Sequence, residues 1–345
     1  LRPLAGAREV AMLKRPGAFL TALILGMAVE GAPAARPRAL KIAMIAKSEA
    51  NFVFLSARKG AEDAAAALSR THNADIDVLW LTPPREDAEM QAQRVAQAVS
   101  EGANAILIAC SDARPLVPAI DAAVAKGVDV MTFDSDAPAS KRFTFYGPDD
   151  ADVGEKLAAD LATLIGGKGK IAILAGNPNA PNLKARSAGV SAGAAKRGLE
   201  VVQVVHHAET PQDAATAVIQ TNAAHPDLAG WAMVGGWPLF RSGQTPALNA
   251  DLQKRKLKIV AVDGLPDQLI YVDRDLVPIL WAQPTYQWGE VGVTTIVDKL
   301  LLGKKVAPKI RMELVRVSRQ NLGDWSRRLK SWGFTGIPDE YLKRN

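Results

Sequence analysis

The 345-residue sequence predicts an α/β protein made of two similar lobes, each a doubly wound parallel sheet covered by helices. Three observations carry this. Short apolar runs alternate with segments of helical spacing. The alternation is played through twice. The apolar runs are hydrophobic throughout rather than at every second residue, as strands buried on both faces must be. At about 100–200 residues per domain, the length fits two units.

The first series opens with KIAMIA (41–46), followed by VFLSARKGAEDAAAALSR (53–70), whose apolar positions recur at helical spacing. DIDVLWL (75–81), NAILIAC (104–110) and DVMTFD (129–134) are the next strands, separated by the helices EMQAQRVAQAVSEG and LVPAIDAAVAKG, each ending in the glycine expected at a helix stop. FTFYGPDD (143–150) carries the Gly-Pro punctuation of a crossover. The second series runs through VGEKLAADLATLIGG, KIAILAG (170–176), LKARSAGVSAGAAKRG, LEVVQVV (199–205), LAGWAMVGG (228–236) and KIVAVD (258–263). VPILWAQP (277–284), the helix QWGEVGVTTIVDKLLLG and one further strand, RMELVRV (311–317), are left over, which a chain that crosses back between lobes produces.

Composition excludes several classes. Apolar residues at 48% and charged residues at 23% describe an ordinary globular chain. The net charge of +6 comes partly from the leader and from Arg327, Arg328, Lys330, Lys343 and Arg344; without interleaved aromatics or a nucleic-acid module it reads as solvated surface. Cys110 is the single cysteine, which rules out an intrachain disulfide, and its place in AILIAC predicts a buried, inert thiol. His206 and His207 lack companions at ligand spacing, so no metal or other cofactor is expected. Met12–Ala34 has the form of a secretory signal peptide: Lys14 and Arg15, an apolar stretch, then Ala32-Pro33-Ala34. Translation is expected to start at Met12, cleavage to fall near Ala34, and the chain to be exported to the periplasm. No cysteine marks a lipid anchor at the cleavage site.

Ligands of open parallel sheets bind beyond the carboxyl ends of the strands. Lys47, Ser48, Asn51, Asp134 to Asp136, Asn177, Gly235, Gly236, Trp237, Asp263 and Gln283 stand there. Acids, amides and aromatic rings suit a neutral polyol, whose hydroxyls both donate and accept and whose ring faces are apolar. Asp134 and Asp263 fit equally well as caps of following helices, and Trp237 and Trp281 as core or lobe-interface residues. Asp149 and Asp150 are expected to start a helix. Neither GxGxxG nor GxxxxGK[ST] follows any strand, which argues against a nucleotide. No enzyme is expected: Asp134 and Asp136 alternate along an extended segment and point to opposite faces, and no partner base is evident.

These residues carry a resemblance. From Lys41 to about Ser318 the sequence resembles the ribose/galactose-type periplasmic sugar-binding proteins, type I solute receptors of ABC importers. IAMIAKSEANFVFLSARKGAEDAA is similar to that family's opening strand and helix, DVMTFDSD to its "pvitlD" segment, KIVAVDGLPD to "vvGfDgtpd", and LWAQPTYQWGEVG to "iaQdpyqmG". The resemblance implies the type I periplasmic binding protein fold, with a leader at 1–39, a first lobe of 40–148 plus 284–312, and a second of 149–283 plus 313–345. A three-stranded hinge would cross near Pro148, Gln283 and Met312. It places Asn51, Phe54, Asp134, Asp263 and Gln283 on ligand-binding positions. Elsewhere the sequence departs from the pattern. Ser135 replaces an arginine, with Asp136 in a compensating place. The second-lobe arginine falls at Lys184 or Arg186. Gly235, with Trp237 close by, replaces an amide, and Lys47 stands where a small polar residue is usual. These departures point away from ribose, toward a larger or anionic ligand. The expected function is capture of a sugar or polyol by hinge closure and delivery to an ABC-type membrane permease, by a monomer that binds no nucleic acid. A sugar-sensing receptor presenting its ligand to a membrane kinase or chemoreceptor is the alternative. The tail 321–345 exceeds the family's usual end, and Trp325, Leu329 and Trp332, at helical spacing, are expected to pack on the second lobe.

Overall fold

A computed structural model describes residues 39–240 and 245–344. The signal-peptide reading lies outside the described residues. Among those described, no helix is long and apolar enough to cross a membrane.

The first sheet contains β1 (Ala39–Ile45), β2 (Asp75–Trp80), β3 (Ala105–Ile108), β4 (Asp129–Phe133), β5 (Thr144–Gly147) and β11 (Lys309–Arg311), in the order β2-β1-β3-β4-β5-β11 and parallel throughout. The second contains β6 (Gly169–Gly176), β7 (Leu199–His206), β8 (Leu228–Met233), β9 (Lys258–Val262), β10 (Ile279–Ala282) and β12 (Val315–Val317). Its order, β7-β6-β8-β9-β10-β12, repeats that of the first sheet, except that β12 runs antiparallel to β10. Both sheets are therefore doubly wound, with a topological switch point beside the first strand of each. The central strand β3 is buried at all four positions, the two-sided burial that its unbroken apolar sequence predicts.

The chain changes sheets after β5, after β10 and between β11 and β12. The last of these corrects the reading of RMELVRV as one strand. Met312 N–H still bonds to the Gly147 carbonyl of the first sheet, whereas Val315 pairs with Ala282 of the second. Alternation along a strand is blind to which sheet supplies the partner.

Helices α1 (Phe52–His72), α2 (Ala88–Ser100) and α3 (Ala113–Ala125) begin at Asn51, Asp87 and Asp112, whose side chains accept N–H groups that the first turn cannot otherwise satisfy. Asp149 caps α4 (Asp150–Ile165) in the same way, and Gly166, at φ 78°, ends it in the left-handed conformation. Helix α5 (Pro181–Ala195) packs along α4 in the second lobe, as α9 (Thr285–Leu300) packs along α1 in the first. Each pair meets at a glycine: a Cβ on Gly189 would collide with the Ala151 carbonyl, and one on Gly289 with that of Ala57. Helices α6 (Pro211–Ala224) and α7 (Pro246–Arg255) were not marked by periodicity; both start at proline, and neither carries a strong apolar stripe. Short α8 (Leu269–Asp273) and the tail helices α10 (Leu322–Ser331) and α11 (Asp339–Leu342) complete the chain.

Candidate functional site

Asp134 and Asp263 occupy twin places. Each follows the fourth strand of its lobe, β4 or β9, and each has a left-handed backbone, φ 56° and 73°, where a non-glycine residue is uncommon. Neither caps a helix. Asp134 Oδ1 accepts from Asn182 Nδ2 at 3.1 Å, and Lys47 Nζ lies 3.5 Å from Oδ2. Asp263 accepts from Gln283 Nε2 at 2.7 Å and from the Gly236 N–H at 3.0 Å. Burial pushes the Asp263 carboxyl up, against the pull of its two hydrogen bonds.

Arg186, on the first turns of α5, stands between the two acids. Its Nε donates to Asp150 at 2.7 Å, Nη1 to the Val234 carbonyl at 3.2 Å and Nη2 to Gln283 Oε1 at 2.9 Å, with Asp134 3.8 Å away. Burial pulls its pKa down, but the Asp150, Asp134 and Asp263 carboxylates outweigh that and hold the guanidinium charged. Asp150 itself is pushed up to about 6 by burial despite the arginine.

These groups enclose a cavity of about 30 Å³ between the strand ends of the two lobes. Lys47, Asn51, Phe54 and Asp134 line it from the first lobe; Arg186, Gly235, Trp237, Asp263 and Gln283 line it from the second. Phe54 stacks on Trp288 of α9 (centroids 5.8 Å apart) and forms part of the wall. Asn51 divides its role, since its Oδ1 also caps α1 through the Val53 N–H. A larger groove of about 330 Å³ lies between α1, the Leu265–Asp267 loop and the tail, but its walls are chiefly apolar (Phe52, Leu55, Phe240, Tyr286, Trp332) and do not converge polar groups on one point.

Ser48, Ser135, Asp136, Asn177, Lys184 and Gly236, all singled out in the sequence, do not line the cavity. Lys184 is exposed on α5 and does not line the cavity, whereas Arg186 does. Asp136 is held by Arg142 through both carboxylate oxygens (2.5 and 2.6 Å) and by Thr132, a pairing internal to the first lobe. Ser135 is buried behind the strand end, its carbonyl accepting from the Cys110 N–H.

The structure adds residues that the sequence reading passed over. Asn182 bridges the lobes, accepting from Lys47 Nζ at 3.0 Å while donating to Asp134. Glu209 follows β7 and lines the cavity; its oxygens accept from the Asn177 N–H at 3.0 Å and from the Trp237 indole at 3.1 Å. Glu86, in the twin position after β2, accepts from the Asn177 side chain at 2.8 Å across the lobes. Inspecting the carboxyl ends of LEVVQVV and DIDVLWL as closely as those of the other strands finds both acids.

Burial, then the neighbouring Glu86 charge, pushes Glu209 up to about 8, with Lys47 and the Asn177 N–H pulling the other way and Asp134 adding to the rise. A folded-state pKa above the ordinary carboxyl value means that the native protein holds a proton that the unfolded chain has released. Stability from this group is thus present in acid and is lost as pH rises from about 4.5 to about 8. Urea unfolding at pH 5 and pH 8 is expected to show a smaller drop in midpoint for Glu209→Gln than for the wild type; equal drops would remove Glu209 as the source.

Two α/β lobes whose strand ends face one another across a polar cavity, with the chain crossing between them three times, define a binding protein that encloses a small molecule between its lobes. The chain belongs to the periplasmic binding protein domain family, whose model matches residues 42–305. It is 28% identical over 265 residues to the ribose import binding protein RbsB of Bacillus subtilis (strain 168), covering 76% of this chain and 82% of that protein. It is 26% identical over 254 residues to the D-ribose/D-allose-binding protein of Pseudomonas aeruginosa, covering 71% and 77%. Among solved structures, an ABC transporter solute binding protein from Agrobacterium vitis with bound D-fucose superposes with a TM-score of 0.75 at 27% identity, over 82% of this chain and 96% of that one.

Proposed function

We propose that the protein is exported to the periplasm, captures a monosaccharide or sugar-like polyol between its lobes, and delivers it to an ABC-type permease. One observation carries this reading: Asn51, Asp134, Arg186, Asp263 and Gln283, drawn from both lobes, line a single cavity. The mechanism is binding and hinge motion, without covalent chemistry. One water needs about 10–15 Å³ of such space, so a cavity of about 30 Å³ admits a sugar only if the lobes part. The bonds joining them are polar and exchangeable: Lys47 to Asn182, Asn182 to Asp134 and Asn177 to Glu86. Sugar hydroxyls can replace each such partner, which a buried polar group requires. The names of the relatives, which bind ribose, allose or fucose, agree with a monosaccharide.

A thermal-shift screen of pentoses, hexoses and polyols identifies the ligand, because a molecule that binds only the native state raises its stability. With that ligand, calorimetry on Asp263→Ala is expected to show affinity weakened tenfold to a hundredfold, the loss of a charge-assisted hydrogen bond of about 1.5–3 kcal/mol. Wild-type affinity in the variant would remove Asp263 from the site, and a screen without a single sugar or polyol hit would remove the reading.

A further inference from the structure

The cations facing the cavity are already matched. Lys47 is paired with Asp134 and donates to Asn182. Arg186 is anchored by Asp150, which lies behind the cavity wall, and its remaining donors go to Val234 and Gln283. Two lining carboxyls are left. Asp263 is held by the Gln283 amide and the Gly236 N–H, and Glu209 by the Asn177 N–H and the Trp237 indole, all neutral donors. Among the described residues neither acid forms an ion pair. Glu86 adds a further acid beside Asn177.

The two acids differ in what they imply. Asp263 is the twin of Asp134, and hydroxyl donors are enough for it. Glu209 has no lining counterpart in the first lobe: Glu86, its twin after β2, is engaged by Asn177 and does not line the cavity. A carboxylate lining a small cavity without an ion pair, its charge offset by a lysine that Asp134 already holds, favours a ligand that brings a cation of its own. An anionic ligand, toward which the sequence departures at Lys47 and Lys184 pointed, would meet surplus carboxylates, an engaged lysine and, at 184, a side chain on the outer surface.

We infer that the ligand is a polyol bearing an amino group, an amino sugar or aminated cyclitol, and that Glu209 selects it by receiving the ammonium. This rests on the sugar-binding reading above and narrows it. The raised affinity of Glu209 for a proton accords with it, since burial that favours taking up a proton's charge likewise favours an ammonium beside the carboxylate.

Calorimetry on the purified full chain at pH 7 tests this with matched pairs: D-glucosamine and D-glucose, D-galactosamine and D-galactose, D-mannosamine and D-mannose, and an amino-deoxyinositol with its parent inositol. At least one aminated member is expected to bind tenfold or more tighter than its parent. In Glu209→Gln that ratio is expected to fall close to one, whatever happens to the parent's own affinity. Because the ratio is taken within each protein, general loosening of the site cancels, and the wild-type comparison needs no variant. Parents that bind as tightly as their amines in every pair overturn the amine while leaving the sugar reading standing, and so does a ratio unchanged in Glu209→Gln for the role of Glu209. Failure of every aminated member to bind overturns the amine; the sugar reading falls only if the pentoses, hexoses and polyols of the thermal-shift screen fail as well.

Discussion

Arg186→Ala is expected to lose about 3–5 kcal/mol of stability in urea unfolding, the cost of leaving a buried charge without its partner. Arg186 is 2% exposed, and the variant would strand Asp150, the Val234 carbonyl and Gln283 Oε1 together, with Asp134 losing a nearby charge. Arg186→Lys is expected to recover only part of this, since one ammonium cannot reproduce three donors fixed in a planar fork. The double variant Arg186→Met, Asp150→Leu is the sharper measurement. If the loss comes from an uncompensated carboxylate, removing both charges restores most of the stability, although ligand affinity stays low. A double variant no more stable than Arg186→Ala would place the cost in packing rather than in charge.

Truncation after Ser318 is expected to cost at least as much as removal of one buried tryptophan, about 3–5 kcal/mol. Trp325 is buried, and its indole donates to the Gly264 carbonyl at 2.6 Å, immediately after the site residue Asp263. Leu322, Leu329 and Tyr341 are buried with it, and Arg344 pairs with Asp273 of α8 at 2.6 Å. Trp332 goes elsewhere. It lies flat on Tyr286 of α9 (centroids 5.6 Å apart, planes 8° apart), so the tail touches both lobes rather than the second alone. Arg328 sits over Trp332 and Trp325, 4.9 and 5.7 Å from the ring centres, and ties the two contacts together. Urea unfolding of the truncated chain and of Trp332→Ala separates these parts. The truncation should fall well below Trp332→Ala, and near-equal stabilities would mean that Trp325 contributes little.

Residues adjacent in sequence parted company in space for definable reasons. Lys184 and Arg186 both fitted the position of a second-lobe arginine. At 3.6 residues per turn they lie about 200° apart around a helix, so only one can face the cleft. The rotation of α5 decides which, and it is set by the close approach of Gly189 to α4, a contact between distant segments. Asp136, expected to compensate where Ser135 replaces an arginine, is instead held through both of its oxygens by Arg142, six residues on. The capping alternative for Asp134 lapsed because β5 (Thr144–Gly147), not a helix, is the next element along the chain.

What the sequence determined by itself is the local part: two α/β lobes, the alternation of strand and helix, and polar residues set at the strand ends. Period, burial of apolar runs and strand-end chemistry are properties of neighbours along the chain, and they survive without knowledge of the partner. Only the tertiary structure decided which strand ends share a cavity, that RMELVRV divides between two sheets, that Trp332 reaches the first lobe, and that Glu209 lines the cavity without an ion pair. Each of these depends on the free energy of satisfying a charge, a hydrogen bond or an apolar face across the fold, and that balance is struck between segments far apart in sequence.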